Sequence, residues 1–226
     1  MIMAELELIG IQKSFRKNHV LTGVDLSCGA GTCTGILGGN GSGKSTLLTI
    51  LAGIRKADAG KFLWLGKDLL KDARSLRKVV GYVPQGTPLF EELTARDNLL
   101  LWFDRASLER ELESGILKML GVGDFLNVRV SRLSGGMKKR LSIGCAMCRH
   151  PDILLLDEPS AALDLPCKAE IQEYFKSFVK AGGTVILVTH DLQEMELCDR
   201  LYVLKGGVLS PYEGEITIDA LAEVVE

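Results

Sequence analysis

Leu133-Ser134-Gly135-Gly136-Met137 decides the fold, because of what stands on either side of it. Alone, a Ser-Gly-Gly turn reads as a loop with a serine N-cap. Upstream, however, residues 38–45 form a glycine-rich loop, and downstream the aliphatic run 153–156 ends in two carboxylates, Asp157-Glu158. Many nucleotide-binding proteins carry the outer two elements. Few open a basic helix with a Ser-Gly-Gly turn between them. The paired glycines expose backbone N–H groups at the head of a helix bearing Lys138, Lys139 and Arg140, which predicts an anion site. The chain already has one phosphate loop, so a second anion site points to a composite pocket shared between two subunits.

The upstream loop, Gly38-Gly39-Asn40-Gly41-Ser42-Gly43-Lys44-Ser45, satisfies the pattern G-x-x-x-x-G-K-S/T. Its glycines let backbone N–H groups turn inward around phosphates, and the helix starting near Lys44 adds its positive dipole end. Lys44 is then placed to reach β- and γ-phosphates, and Ser45 to set its hydroxyl on Mg²⁺. Asp157, at a strand tip, can hold Mg²⁺ directly or through water. Glu158, expected on the opposite side of an extended chain, is the candidate for polarising an attacking water. An ordinary glycine turn and a solvated Asp-Glu pair are the bland alternatives; the strand–loop–helix setting of the loop weakens both.

Residues 1–30 alternate in short apolar runs broken by turn signals at Lys17-Asn18-His19 and Thr22-Gly23, predicting antiparallel strands. Residues 32–37 read as a buried strand, and 44–52 as a helix stopped by Gly53. The aliphatic runs 153–156 and 185–188 have the pattern of strands buried on both faces of a parallel sheet. Each ends in polar residues, Asp157-Glu158 and Thr189-His190, and ligands of open α/β sheets bind beyond such strand ends. Three strand ends are thus expected to converge on one site. Between Thr87 and Arg149 the pattern turns helical, with candidate helices over 93–103, 108–120 and 138–148.

A chain of 226 residues can bury a substantial core. A formal net charge of −2 and a pI near 6.0 argue against a nucleic-acid surface. The six scattered cysteines suit a reduced, intracellular chain, and Cys145-Ala-Met-Cys148, inside a helical pattern with no second pair, reads as core. No apolar stretch approaches the ~18 residues that cross a bilayer, and the N-terminus lacks the form of a signal peptide. Any membrane role is therefore expected to run through another chain. His19 and His150 lack partners at metal-ligand spacing, and Trp102, in Leu99-Leu100-Leu101-Trp102-Phe103, is expected in the core.

Taken together, the motifs resemble, in order and over nearly the whole length, the nucleotide-binding subunit of ATP-binding cassette transporters. Gly38 through Ser45, with Thr46, looks like its Walker A loop, and Gln85 in Tyr82-Val83-Pro84-Gln85 like its Q-loop glutamine. Leu133 to Met137 matches its signature, and residues 153–158 its Walker B strand with the catalytic glutamate. Ser160-Ala161-Ala162-Leu163-Asp164 is similar to its D-loop, His190 to its switch histidine, and Phe15 to the aromatic that stacks on adenine.

The resemblance implies an α/β fold: a P-loop NTPase (RecA-like) core with a mainly parallel sheet, an N-terminal antiparallel β subdomain and an inserted helical subdomain. As domains it implies a single ATPase unit, 1–226, with the core over 1–86 and 150–226 and the helical part over 87–149. It also implies a Mg²⁺-dependent ATP hydrolase in which Glu158, His190, Lys44 and Gln85 are catalytic. ATP would be bound by Phe15, the loop from Gly38 to Thr46, and Ser134, Gly135 and Gly136; the metal would be held by Ser45, Gln85 and Asp157. Two such domains, by preference a homodimer, would sandwich two ATP molecules, each between one subunit's Walker A loop and the other's signature. The expected partner is an integral membrane transporter subunit on a separate chain, docked near residues 90–96, with the cassette cytoplasmic at the inner face of the membrane. Gly39 stands where proline is usual, Met137 where glutamine is commoner, and Phe15 where tyrosine is usual. The Gly-Gly-Met-basic-basic-Arg form resembles cassettes of bacterial exporters. The alternative is a soluble cassette of an assembly or repair system, such as iron–sulfur assembly.

Overall fold

Alternating burial makes Leu6–Phe15 (β1) and Asn18–Cys28 (β2) an antiparallel pair whose Leu6, Leu8, Ile11, Leu21, Val24 and Leu26 side chains face inward. The computed structural model describes residues 5–161, 163–217 and 219–221. Ala162, in the expected D-loop, lies outside the described residues, as do the first four residues of the N-terminal reading. Next come Cys33–Leu37 (β3), Lys44–Leu51 (α1), Ala59–Trp64 (β4), Lys67–Asp68 (β5), Ala73–Val79 (α2) and Val80–Val83 (β6). β4 and β5 join the first two strands in a four-stranded antiparallel sheet of order β2-β1-β4-β5. Sequence pattern marked only half of that sheet.

Helices follow: Ala95–Leu100 (α3), Arg105–Glu113 (α4), Ile116–Met119 (α5) and Gly135–Ala146 (α6). The remainder contains Ile153–Asp157 (β7), Leu165–Lys180 (α7), Thr184–Val188 (β8), Leu192–Met195 (α8), Arg200–Lys205 (β9) and Val208–Tyr212 (β10). A six-stranded sheet runs β10-β9-β3-β8-β7-β6, parallel except for β10.

β3, β7 and β8 are buried at every position. Their alternate residues divide between two cores, as a period of two requires. Leu154, Leu156, Val185 and Leu187 pack with Leu99, Leu141 and Phe175 of the helical side. Ile153, Leu155, Ile186 and Val188 pack with Leu47 and Leu51 of α1 and with Leu8 of the antiparallel sheet.

Caps correct three helix boundaries. α3 begins at Ala95 rather than at 93, because Thr94 and Asp97 form a reciprocal capping box. The run 108–120 is two helices, not one. Asp104 starts α4 by accepting the Ser107 N–H at 2.8 Å, and the chain breaks at Ser114-Gly115. There Glu111 accepts the Ile116 N–H at 2.9 Å and so opens α5. α6 begins at Gly135, three residues before the expected start, with Ser134 as its N-cap.

Trp102 is a further correction. It lies just past the end of α3 and is 58% exposed, while its neighbours Leu99 and Phe103, four residues apart, take the buried side.

Candidate functional site

Parallel strands share a direction, so β3, β6, β7 and β8 end on one edge of the sheet and deliver Gly38, Gln85, Asp157-Glu158 and His190 to the same place. Three of these ends were expected from pattern; β6 is the fourth.

The loop after β3 is shaped by its glycines. Gly38 has φ 148°, and a Cβ there would meet the Leu204 carbonyl oxygen at 2.6 Å; Gly43 has φ 109° and would meet Val20 at 2.9 Å. Lys44 is buried and folded back on this loop, its Nζ donating to the carbonyls of Gly38 at 2.5 Å and Gly39 at 3.0 Å. Burial pushes its pKa down, while the nearby Glu158 and Asp157 pull it back. The Ser42 hydroxyl is buried and makes no hydrogen bond among the described residues. A cradle with an unused hydroxyl and a cation resting on loop carbonyls suits an anionic guest.

Asp157 is 4% exposed at the end of β7. Burial raises its pKa, opposed by a hydrogen bond from Ser45 and by the charges of Lys44 and Lys139. Burial, reinforced by the same carboxylate, lifts the Tyr82 hydroxyl to about 12. Ser45 and Asp157 therefore bring a hydroxyl and a carboxylate oxygen together, the hard oxygen donors that Mg²⁺ takes.

Glu158 differs from expectation. The strand ends at Asp157, and Glu158 turns into the left-handed region at φ 47°, its N–H donating to the Val188 carbonyl at 2.8 Å. Such a conformation costs on the order of 1–3 kcal/mol for a residue with a Cβ. It aims the carboxylate away from the strand toward two groups: Gln85 Nε2 donates to Oε2 at 2.9 Å, and His190 Nε2 lies 3.6 Å from Oε1. Residues 73 and 32 positions away along the chain thus meet at one carboxylate.

The head of α6 is a different kind of site. Ser134 accepts the Met137 N–H at 3.2 Å, and Gly136 is pressed against Cys167, where a Cβ would meet Sγ at 2.9 Å. The three cations expected to form an anion site here are spent inside the chain. Lys138 pairs with Glu91 at 2.7 Å and Arg140 with Glu170 at 3.1 Å. Lys139 turns inward and donates to the carbonyls of Pro84 and Gln85, each at 3.0 Å, tying α6 to the segment that carries Gln85. That role had no sequence signal, since a lysine on a basic helix reads as solvated. No hydrogen bond among the described residues joins Ser134, Gly135 or Gly136 to the loop at 38–46.

Phe15 is half-exposed, with the Arg55 guanidinium 4.7 Å and Lys13 Nζ 5.7 Å from its ring centroid. His19 hydrogen-bonds Ser14 and His150 faces Glu111 at 3.2 Å. No cluster of three or more His, Cys, Asp or Glu side chains suited to a metal occurs among the described residues, and none of their helices is long and apolar enough to cross a membrane. A cavity of about 580 Å³ lies elsewhere: a groove between α1, β6, α3 and α6, lined by Ile54, Tyr82, Phe90, Trp102, Cys145 and Cys148. The two cysteines expected in the core are half-buried in its wall.

The family described as ABC transporter matches residues 21–161. The Nod factor export ATP-binding protein I of Rhizobium etli is 38% identical over 212 residues, 92% of this chain and 67% of that protein. Its counterpart in Burkholderia orbicola is 36% identical over 213 residues, 92% of this chain and 70% of that protein. These relatives are thus longer, and the chain spans about two thirds of them. Among solved structures, a nucleotide-free ATP-binding cassette from an ABC transporter superposes with a TM-score of 0.86 at 27% identity, covering 99% of this chain and 98% of that one. A dimeric cassette in a post-hydrolysis state bound to ADP and Pi superposes with a TM-score of 0.80 at 28% identity, covering 94% and 99%. The chain belongs to the ABC transporter family and is one of its ATP-hydrolysing cassettes.

Proposed function

We propose that this cassette energises export through a separate membrane-spanning chain, working as a homodimer that closes on two ATP molecules. The observation that carries the reading is the meeting of Gln85, Glu158 and His190 beside the buried pair Lys44 and Asp157. In each half-site Lys44 exchanges the Gly38 and Gly39 carbonyls for the β- and γ-phosphates. The amides of Gly41, Ser42, Gly43 and Thr46 and the Ser42 hydroxyl close around them. Ser45 and Asp157, with Gln85, would hold Mg²⁺, which supplies charge neutralisation at the phosphates. Glu158 takes the position of general base for the attacking water, and Gln85 and His190 hold its carboxylate in register with that water and the γ-phosphate. Phe15 offers its ring to adenine, sharing it with Arg55 or displacing it.

Ser134, Gly135 and Gly136, without a phosphate partner in their own chain, serve the opposite subunit's nucleotide. The dimeric relative with ADP and Pi supports this arrangement. The exposed Phe90 and Trp102 and the groove beside them fit an apolar segment of the membrane chain, which would choose the cargo. On this reading the cassette works in the cytoplasm at the inner face of the membrane, with residues 1–86 and 150–226 as the nucleotide core and 87–149 as the helical part. The relatives' printed role in export and the Gly-Gly-Met-Lys-Lys-Arg run favour outward transport. The formal charge of −2 gives no support to a nucleic-acid partner.

Purification of the tagged chain from detergent-solubilised host membranes tests the reading. A stoichiometric multi-spanning protein is expected alongside it. Recovery of only soluble partners would instead favour an assembly-type cassette.

A further inference from the structure

Beside Glu158 and His190 lies a small cavity of about 210 Å³, whose wall also includes Ser160, Lys168, Thr189 and Glu194. Glu194 is 1% exposed, and no counter-ion contacts its carboxylate among the described residues. The buried Thr189 donates its hydroxyl to Glu194 Oε2 and accepts the Asp191 N–H at 3.0 Å. Ser160, equally buried, lines the same cavity wall beside this carboxylate; burial pushes the Glu194 pKa up, and the Thr189 and Ser160 hydroxyls draw it down. Oε1 makes no hydrogen bond among the described residues. From outside, Lys168 of α7 holds Asp191 at 2.6 Å.

A buried carboxylate with no direct ion pair is a poor packing element, and an apolar side chain of similar size would serve a core better. What this one does is geometric. Ser160 stands two residues after Glu158, on the turn leaving β7; Thr189 stands one residue before His190, on the turn leaving β8. We propose that Glu194 is a positioning residue for ATP hydrolysis: by taking the Thr189 hydroxyl from one turn and lying beside Ser160 of the other in the same cavity wall, it sets the separation of His190 and Glu158. That separation is 3.6 Å, just beyond hydrogen-bond reach, so a small displacement of either turn makes or breaks the pair. The inference rests on the roles proposed above for His190 and Glu158.

The test compares kcat and KM for ATP in Glu194→Ala, Glu194→Gln and Thr189→Val, with His190→Ala as reference and thermal melting as a control. Glu194→Ala is expected to lower kcat roughly ten- to a hundred-fold with KM nearly unchanged, as misplacement of a reacting group does. Glu194→Gln keeps an acceptor for the Thr189 hydroxyl and should recover most of the rate. Wild-type kcat in Glu194→Ala while His190→Ala is inactive would overturn the inference alone, as would a loss confined to KM and melting temperature. Wild-type turnover in His190→Ala would overturn the histidine reading and this inference with it. If Glu194→Ala does not fold, Thr189→Val reads the same link from its other end: a reduced kcat supports it and an unchanged one overturns it.

Discussion

The strand-end site and the head of α6 both present glycines and backbone N–H groups, yet they are built in opposite ways. At the strand ends the charged groups have internal neighbours: Lys44 rests on loop carbonyls, Asp157 faces Ser45, and Glu158 is held by Gln85 and approached by His190. At the head of α6 the cations are committed elsewhere, and what remains is a serine cap and two glycines with no phosphate partner in the chain. The first region carries its own chemistry. The second acquires meaning only against another molecule. Mutations in the two should therefore fail differently, and mixing them should separate the two.

The largest effect is expected from Glu158→Gln. It removes the proposed base while leaving the loop at 38–45 intact, so hydrolysis should fall ~10²–10⁴-fold while ATP binding survives. Steady-state phosphate release and a nucleotide-binding assay check the two halves, and wild-type turnover would refute the assignment of Glu158. A mixing experiment then sharpens the contrast. Gly135→Asp puts a negative charge where the partner's γ-phosphate would sit and should be inactive alone. Mixed one to one with Glu158→Gln, however, half the dimers combine one fully intact composite site with one doubly damaged site. Turnover should return to roughly a quarter of wild type if the sites act independently. No recovery in a preparation shown to exchange subunits would mean that Ser134, Gly135 and Gly136 do not complete the opposite site.

Legibility follows the same division. The loop at 38–45 and strands β3, β7 and β8 were readable because their constraints are local: glycines at positive φ, a lysine at fixed spacing, and aliphatic runs that signal burial on both faces. The left-handed turn at Glu158 was not, since the Val188 carbonyl that fixes it comes from a strand some thirty residues away. Lys139 read as part of a cationic helix face, because nothing local says that the Pro84 and Gln85 carbonyls lie beneath it. Trp102 read as core for a related reason: an apolar residue awaiting a partner has the same sequence pattern as one already covered.

Lys139 joins the two regions, and Lys139→Met measures the join. Methionine keeps the stem and removes the ammonium, leaving two part-buried carbonyls without their donor. A fully buried unsatisfied group costs about 1–3 kcal/mol and a part-buried one less, so the melting temperature should drop modestly. Because the segment released carries Gln85, kcat should fall as well, by roughly tenfold, with Gln85 no longer held against Glu158. A stability loss with unchanged kcat would show that Gln85 is positioned from the strand side alone.

Trp102→Ala should have the smallest effect on the isolated chain. The indole is more than half exposed, makes no hydrogen bond among the described residues, and sits beyond the end of α3 rather than inside the packed cluster. Substitutions at such positions usually change stability by no more than about 0.5 kcal/mol, and Trp102 does not line the cavity beside Glu158 and His190. Basal ATP hydrolysis and melting temperature should therefore match wild type. Co-purification with the membrane chain should weaken, since an aromatic anchor seated in an apolar groove is the kind of contact whose truncation costs about 2 kcal/mol or more of binding. The same substitution thus reads the groove and the strand-end site at once. Unchanged hydrolysis with lost partner recovery places the groove's work outside the chain, whereas lost hydrolysis with intact recovery would tie Trp102 to the strand-end chemistry.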